Sequence, residues 1–192
     1  MARSKEFEEA AVLEKAMKLF WEQGYEKTSL NNLVEHMGIH RRSLYDAFTD
    51  KHTLFLKAME RFEDRIGSRL TAGVKQSKTA GEALRFVFGF IIHGEEDAPA
   101  GCMLVNSAAE LALRDAEVDA KAREAFESTE RLLAEIVAWG QDSGEFAKQH
   151  GPAEWAEYLQ NALTGLRVMT RTTVAKEKLE RIAELTMRNL EH

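Results

Sequence analysis

The sequence predicts an all-α protein, and three observations carry that reading. Apolar residues recur every three or four positions through nearly every long segment, as one face of a helix requires. Only 2 prolines occur in 192 residues, and both stand near expected helix starts. No stretch shows the strict alternation of apolar and polar residues that marks a half-buried strand. About nine helices are expected: a three-helix amino-terminal head, then a carboxy-terminal bundle of about six.

The first helix runs from about Glu6 to Gln23, carries Val12, Ala16, Leu19 and Phe20 at helical spacing, and stops at Gly24. The most informative segment follows, SLNNLVEHMGIHRRSLYDAF, from Ser29 to Phe48. Leu30, Leu33, Val34 and Met37 keep the i, i+3, i+4, i+7 rhythm, and Gly38 supplies the left-handed residue that ends the helix. Beyond Ile39, Leu44, Ala47 and Phe48 share one side of a second short helix. His40, Arg41, Arg42, Ser43, Tyr45 and Asp46 lie largely on the other. A buried face and a reaching face result. Arginine pairs with guanine edges or phosphates, and hydroxyls and helix-start amides bind phosphate oxygens, so the reaching face suits a major-groove reader. An ordinary helical hairpin with Arg41 and Arg42 as solvated charges is the plain alternative.

From Lys51 onward, Leu54, Ala58, Phe62, Ile66 and Leu70 recur every four residues, predicting a helix too long for the small head and suited to joining two domains. Thr79 and Glu82 have capping-box spacing and open an apolar helix through Leu84, Phe86, Val87, Phe88, Phe90 and Ile91. His93 to Gly101 reads as a loop, and GCMLVNSAAELAL resumes a helix. Further helices are expected over about Glu117–Trp139, Pro152–Val174 and Lys176–Asn189, with a turn at Ser143–Phe146. The expected organisation is a head over 1–51 (motif 29–48), a larger helical domain over 52–189, and 190–192 as an affinity-tag remnant.

The stretch from about Phe7 to Ala58 resembles the amino-terminal domain of TetR-type one-component transcriptional regulators. The residues that carry the likeness are Phe20, Gly24, Tyr25, Thr28 and Ser29, then Gly38, Ile39, Ser43, Leu44, Tyr45 and Phe48, then Lys51 and Leu54. The resemblance implies a helix-turn-helix whose last helix enters the DNA major groove. By position, Arg41, Arg42 and Asp46 face base edges or nearby backbone, Ser29, Ser43, Tyr45 and Lys51 hold phosphates, Asn31 reaches either, and His40 lies on the same surface. Asp46 departs from simple charge complementarity, unless it accepts from a cytosine amino group or pairs with an arginine.

Charge alone does not point to DNA. The net charge is −6 and the pI near 5.6. Residues 1–51 hold 8 Lys or Arg against 9 Asp or Glu, so any basic footprint is local. The lack of a long apolar run and of a secretion-type start, with a single cysteine, implies a cytoplasmic protein without a membrane partner. No GxSxG, glycine-rich phosphate loop or HExxH is present, so neither an enzyme nor a cofactor is expected. His36 and His40 are split by Gly38 and so make a poor metal pair, and His93 beside Glu95 and Glu96 reads as a solvated loop.

The larger domain has two expected tasks. Reading a pseudo-palindromic operator needs two heads about one helical turn apart, which a homodimer supplies. Leu159, Leu163 and Leu166 form a stripe on one late helix, and Leu179, Ile182 and Thr186 one on the next; ordinary monomer core is the plain alternative, and the resemblance implies that these helices dimerise. It also implies a small-molecule effector whose binding changes the spacing of the heads. Candidate lining residues are Phe62, Ile66, Phe86, Phe90, Met103, Asn106, Trp139, Trp155, Tyr158 and Met169, which suit an apolar ligand. Cys102 stands at an expected helix start, where amide dipoles favour thiolate. Some TetR-like repressors with a similar GC-x-x-x-N segment sense oxidants or electrophiles, which makes Cys102 the basis of an alternative mode of control. A small buried core residue is the plain alternative.

Overall fold

The computed structural model describes residues 2–191, with side chains from residue 9 onward. Nine helices follow in order: α1 (Ala2–Gln23), α2 (Leu30–Met37), α3 (Arg41–Phe48), α4 (Lys51–Gln76), α5 (Ala80–His93), α6 (Met103–Leu111), α7 (Ala116–Ser143), α8 (Pro152–Met169) and α9 (Lys176–Arg188). No strand occurs among the described residues. The all-α reading of the sequence holds.

Two compact units form, and they do not divide at 51/52. The first takes the chain up to Arg65 together with Cys102–Ala122; the second takes Ile66–Gly101 and the chain from Arg123. The reason lies in α4. Its Leu54, Phe55, Ala58, Met59 and Phe62 are buried, and Phe55 meets the rings of Phe20 and Tyr25 at centroid distances of 5.0 and 4.8 Å. The head cannot bury its aromatic residues without the start of this helix, so α4 and α7 each contribute to both units.

Within the second unit, α5 packs against both α8 and α9. Its Ala80, Ala83, Leu84, Val87, Phe88 and Ile92 are buried, as expected of a helix apolar on several sides. Thr79 caps α5 by accepting from the Glu82 N–H at 3.1 Å. Glu145 accepts from the Ala80 and Gly81 N–H groups at 3.1 and 3.0 Å, satisfying amides that have no partner inside the helix. The Gly81 N–H foremost holds the Glu145 carboxyl below its ordinary pKa. Gly73 makes room for Phe86, whose ring would lie 2.0 Å from a Cβ built there.

One expectation is corrected here. Leu159, Leu163, Leu166 and Leu179 are at most 1% exposed within one chain and Thr186 is buried, so these stripes are monomer core. Ile182 is half-buried and packs on the same core. The solvent-facing apolar side chains of α8 and α9 are others: Tyr158, Val168 and Leu185. Leu190, in the stretch expected as a tag remnant, is fully buried, and its carbonyl accepts from the Ala147 N–H at 2.7 Å; His192 lies outside the described residues.

Candidate nucleic-acid interface

Ser29 and Asn32 fix the start of α2 reciprocally. The Ser29 hydroxyl accepts from the Asn32 N–H at 3.1 Å, while Asn32 Oδ1 accepts from the Ser29 N–H at 3.0 Å. Gly38, at φ 71°, ends the helix and donates its N–H to Val34 and Glu35. A side chain with a Cβ would be strained in that conformation. Leu33 and Met37 of α2, with Leu44 and Phe48 of α3, are buried and lock the two helices to the head.

That packing decides what α3 shows to solvent. His40, Arg41, Arg42, Ser43, Tyr45 and Asp46 are all exposed, as are Ser29 and Asn31 on α2's approach and first turn. These polar side chains of α2 and α3 are therefore all open to solvent. Arg41 has no ion-pair partner among the described residues. Arg42 Nε lies 3.9 Å from Asp46 Oδ2, with both side chains largely exposed, so the pair is weak and solvent-screened.

Two expected phosphate ligands have prior engagements. The Ser29 hydroxyl is occupied in capping. The Lys51 ammonium sits 4.1 Å from the centre of the Tyr25 ring, half-buried, and that burial lowers its pKa. At the start of α4, Asp50 accepts from the Thr53 N–H at 2.7 Å, which holds its carboxyl below the ordinary range.

Sequence reasoning missed a carboxylate clamp on this head. Glu110 of α6 accepts the Tyr25 N–H at 3.0 Å on one oxygen and the Glu26 N–H at 2.8 Å on the other. Gly24, at φ 82°, is what lets it approach, since a Cβ there would stand 2.7 Å from Glu110 Oε2. Five residues on, Asp115 lies 2.7 Å from His52 Nε2, one residue past Lys51. Burial acts to raise the Asp115 pKa, but hydrogen bonds from Val118 and His52 bring it below the ordinary value. These partners are 63 to 85 residues apart in sequence, and no local pattern announces them.

The candidate effector residues divide between the units. Phe62, Cys102, Met103 and Asn106 belong to the first, and Ile66, Phe86, Phe90, Trp139, Trp155, Tyr158 and Met169 to the second. Phe62 is head core, with its ring 4.8 Å from that of Trp21. Trp139 and Tyr158 are partly open to solvent, and the Tyr158 hydroxyl accepts from Asn189 at 3.1 Å. Cys102 is the N-cap residue of α6, makes no capping hydrogen bond and is buried. Among the described residues no group of His, Cys, Asp and Glu could hold a metal ion, and no helix is long and apolar enough to cross a membrane.

A compact head that presents a short polar helix after a glycine turn defines a helix-turn-helix DNA-binding protein. Comparison with known proteins sharpens this. Residues 12–58 match the family described as bacterial regulatory proteins, tetR family, and residues 80–186 match the tetracyclin repressor-like C-terminal domain. The HTH-type transcriptional repressor ComR of Escherichia coli is 33% identical over 97% of this chain and 90% of its own length. An uncharacterized HTH-type transcriptional regulator of Bacillus subtilis, YezE, is 30% identical over 94% of each. A cysteine mutant of the TetR family regulator CifR, solved with 26 bp double-strand operator DNA, superposes with a TM-score of 0.83 at 27% identity, covering 94% of this chain and 95% of that one. The chain belongs to the TetR family of transcriptional regulators.

Proposed function

We propose that the protein is a sequence-specific repressor that acts in the cytoplasm as a homodimer on a pseudo-palindromic operator and is released by a small apolar or electrophilic effector. The observation that carries the DNA reading is the outward face of α3: Leu44 and Phe48 are buried while Arg41, Arg42, Ser43 and Tyr45 project together. CifR, bound to operator DNA in its structure, supports it. Arg41 and Arg42 read base edges or adjacent phosphates, and Asn31, Ser43 and Tyr45 hold backbone oxygens. Lys51 joins them by leaving the Tyr25 ring. The dimer seam runs over the outer faces of α8 and α9, where Tyr158, Val168 and Leu185 are open to solvent. Nuclease footprinting on DNA flanking the protein's own gene tests the reading. Protection of a two-fold repeat with half-sites about one helical turn apart is expected; no protected site on that DNA counts against it.

A second reading is favoured by the position of Cys102. It starts α6, and the same helix carries Glu110, which holds the head's α1–α2 turn. Covalent modification of a thiol buried at that helix start would displace α6 and disturb Glu110's hold. Operator release by an electrophile from the parent protein, with retention by Cys102→Ser, is the expected signature. Equal release from both removes the thiol from the mechanism.

A further inference from the structure

The buried side of α8 carries two polar residues that the packing does not use. Gln160 and Arg167 are each 5% exposed, among Ala156, Leu159, Leu163 and Leu166. Seven residues apart, they fall within about 20° of one another around the helix axis. Both amide atoms of Gln160 and the Nε of Arg167 are buried without a hydrogen-bond partner. No acid pairs with Arg167 among the described residues. The contrast with the partly sheltered Arg65, which meets Glu14, is plain.

Physical chemistry makes this arrangement costly as plain core. A buried charge without a counter-ion and a buried amide without partners both oppose folding, and leucine or methionine would fill the same volume without that cost. We propose that Gln160 and Arg167 are the polar ends of an effector site within the second unit that takes an organic monocarboxylate; this rests on the effector reading above and names the ligand's chemical class. The guanidinium fork matches a carboxylate with two parallel hydrogen bonds. Gln160 offers a carbonyl acceptor and an amide donor to a second polar group on the ligand. Leu163, on the same buried side and between the two along α8, matches an apolar body. A single negative charge is favoured over a dianion, because one guanidinium in an apolar core neutralises one charge and leaves a second unpaired. The α8 backbone separates the two residues by about 10 Å, which suits a ring or short chain bearing its second polar group at the far end.

Titration calorimetry on the full chain tests this with benzoate, 4-hydroxybenzoate, octanoate and their methyl esters. The acids are expected to bind and the esters to bind at least about tenfold more weakly. Arg167→Met should weaken acid binding about ten- to hundredfold while leaving the thermal midpoint unchanged or raised, because it removes an uncompensated charge. Gln160→Leu, a second variant independent of the charge, should abolish the preference for 4-hydroxybenzoate over benzoate. Equal affinity for acids and esters, or parental acid affinity in Arg167→Met, overturns the carboxylate assignment and leaves the effector reading standing. Binding of neither acids nor esters at millimolar concentration also overturns it. The effector reading is then judged separately, by whether uncharged apolar or electrophilic compounds release operator DNA.

Discussion

Replacing Glu110 by alanine removes the clamp on the α1–α2 turn. Two backbone N–H groups, at 3.0 and 2.8 Å, lose a charged acceptor in one step. A sheltered hydrogen bond to a charged group contributes about 1.5–3 kcal/mol, but the Glu26 amide is exposed and water replaces its partner, so the pair together contributes about 2 kcal/mol. For a chain of this size that corresponds to a midpoint about 4–8 °C lower in thermal unfolding followed by circular dichroism. Glu110→Gln is expected to recover little, because its amide presents one carbonyl oxygen and turns an NH2 toward the second N–H. Hydrogen exchange localises the effect: the Tyr25 and Glu26 amides should lose protection while those in the core of α5 keep theirs. An unchanged midpoint together with unchanged exchange at these two amides would show that Glu110 does not hold the turn.

Other expectations follow from the same structure. Arg41→Ala and Arg42→Ala should each weaken operator binding by about 1–3 kcal/mol if bidentate to a base, and reduce the salt slope by about one unit if bound to phosphate. Their thermal midpoints should stay parental, since both side chains are exposed. Leu185→Glu should shift the protein toward monomer in sedimentation, whereas Leu163→Ala, inside the core, should cost about 2–5 kcal/mol of stability. Ser29→Ala should cost about 0.5–2 kcal/mol through loss of the α2 cap. Acid unfolding should reveal Glu145. Its folded pKa is depressed, so its contribution is full above the unfolded value and fades as pH falls through the folded one. Glu145→Gln should therefore flatten the stability profile below about pH 4.5.

Local chemistry made the head readable. Helix spacing at Leu33, Met37, Leu44 and Phe48, with a glycine stop at Gly38, defines two short helices and fixes their buried side, which leaves the α3 polar residues outward. The long periodic run from Lys51 was legible as one helix, but not where the first unit ends, because that depends on Phe55 and Phe62 meeting the aromatic residues of α1. Tertiary packing also decided the late stripes. Leu159, Leu163, Leu166 and Leu179 have the spacing of a helical seam, yet spacing is the same for a stripe that meets α5 within one chain and one that meets a second copy. Neither the Glu110 clamp nor the orphaned Gln160 and Arg167 has a sequence signature, since both are defined by which distant groups do or do not come near.

The proposed role of the exposed α3 side chains is to read DNA sequence. Fluorescence anisotropy with the footprinted duplex and a scrambled duplex of equal length, at physiological salt, tests it most directly when the parent is compared with the Arg41→Ala, Arg42→Ala double variant. Parent affinity is expected to be at least about a thousandfold higher for the footprinted duplex, with most of that ratio lost in the variant. Equal affinity of the parent for both duplexes, or an undiminished ratio in the variant, would contradict it.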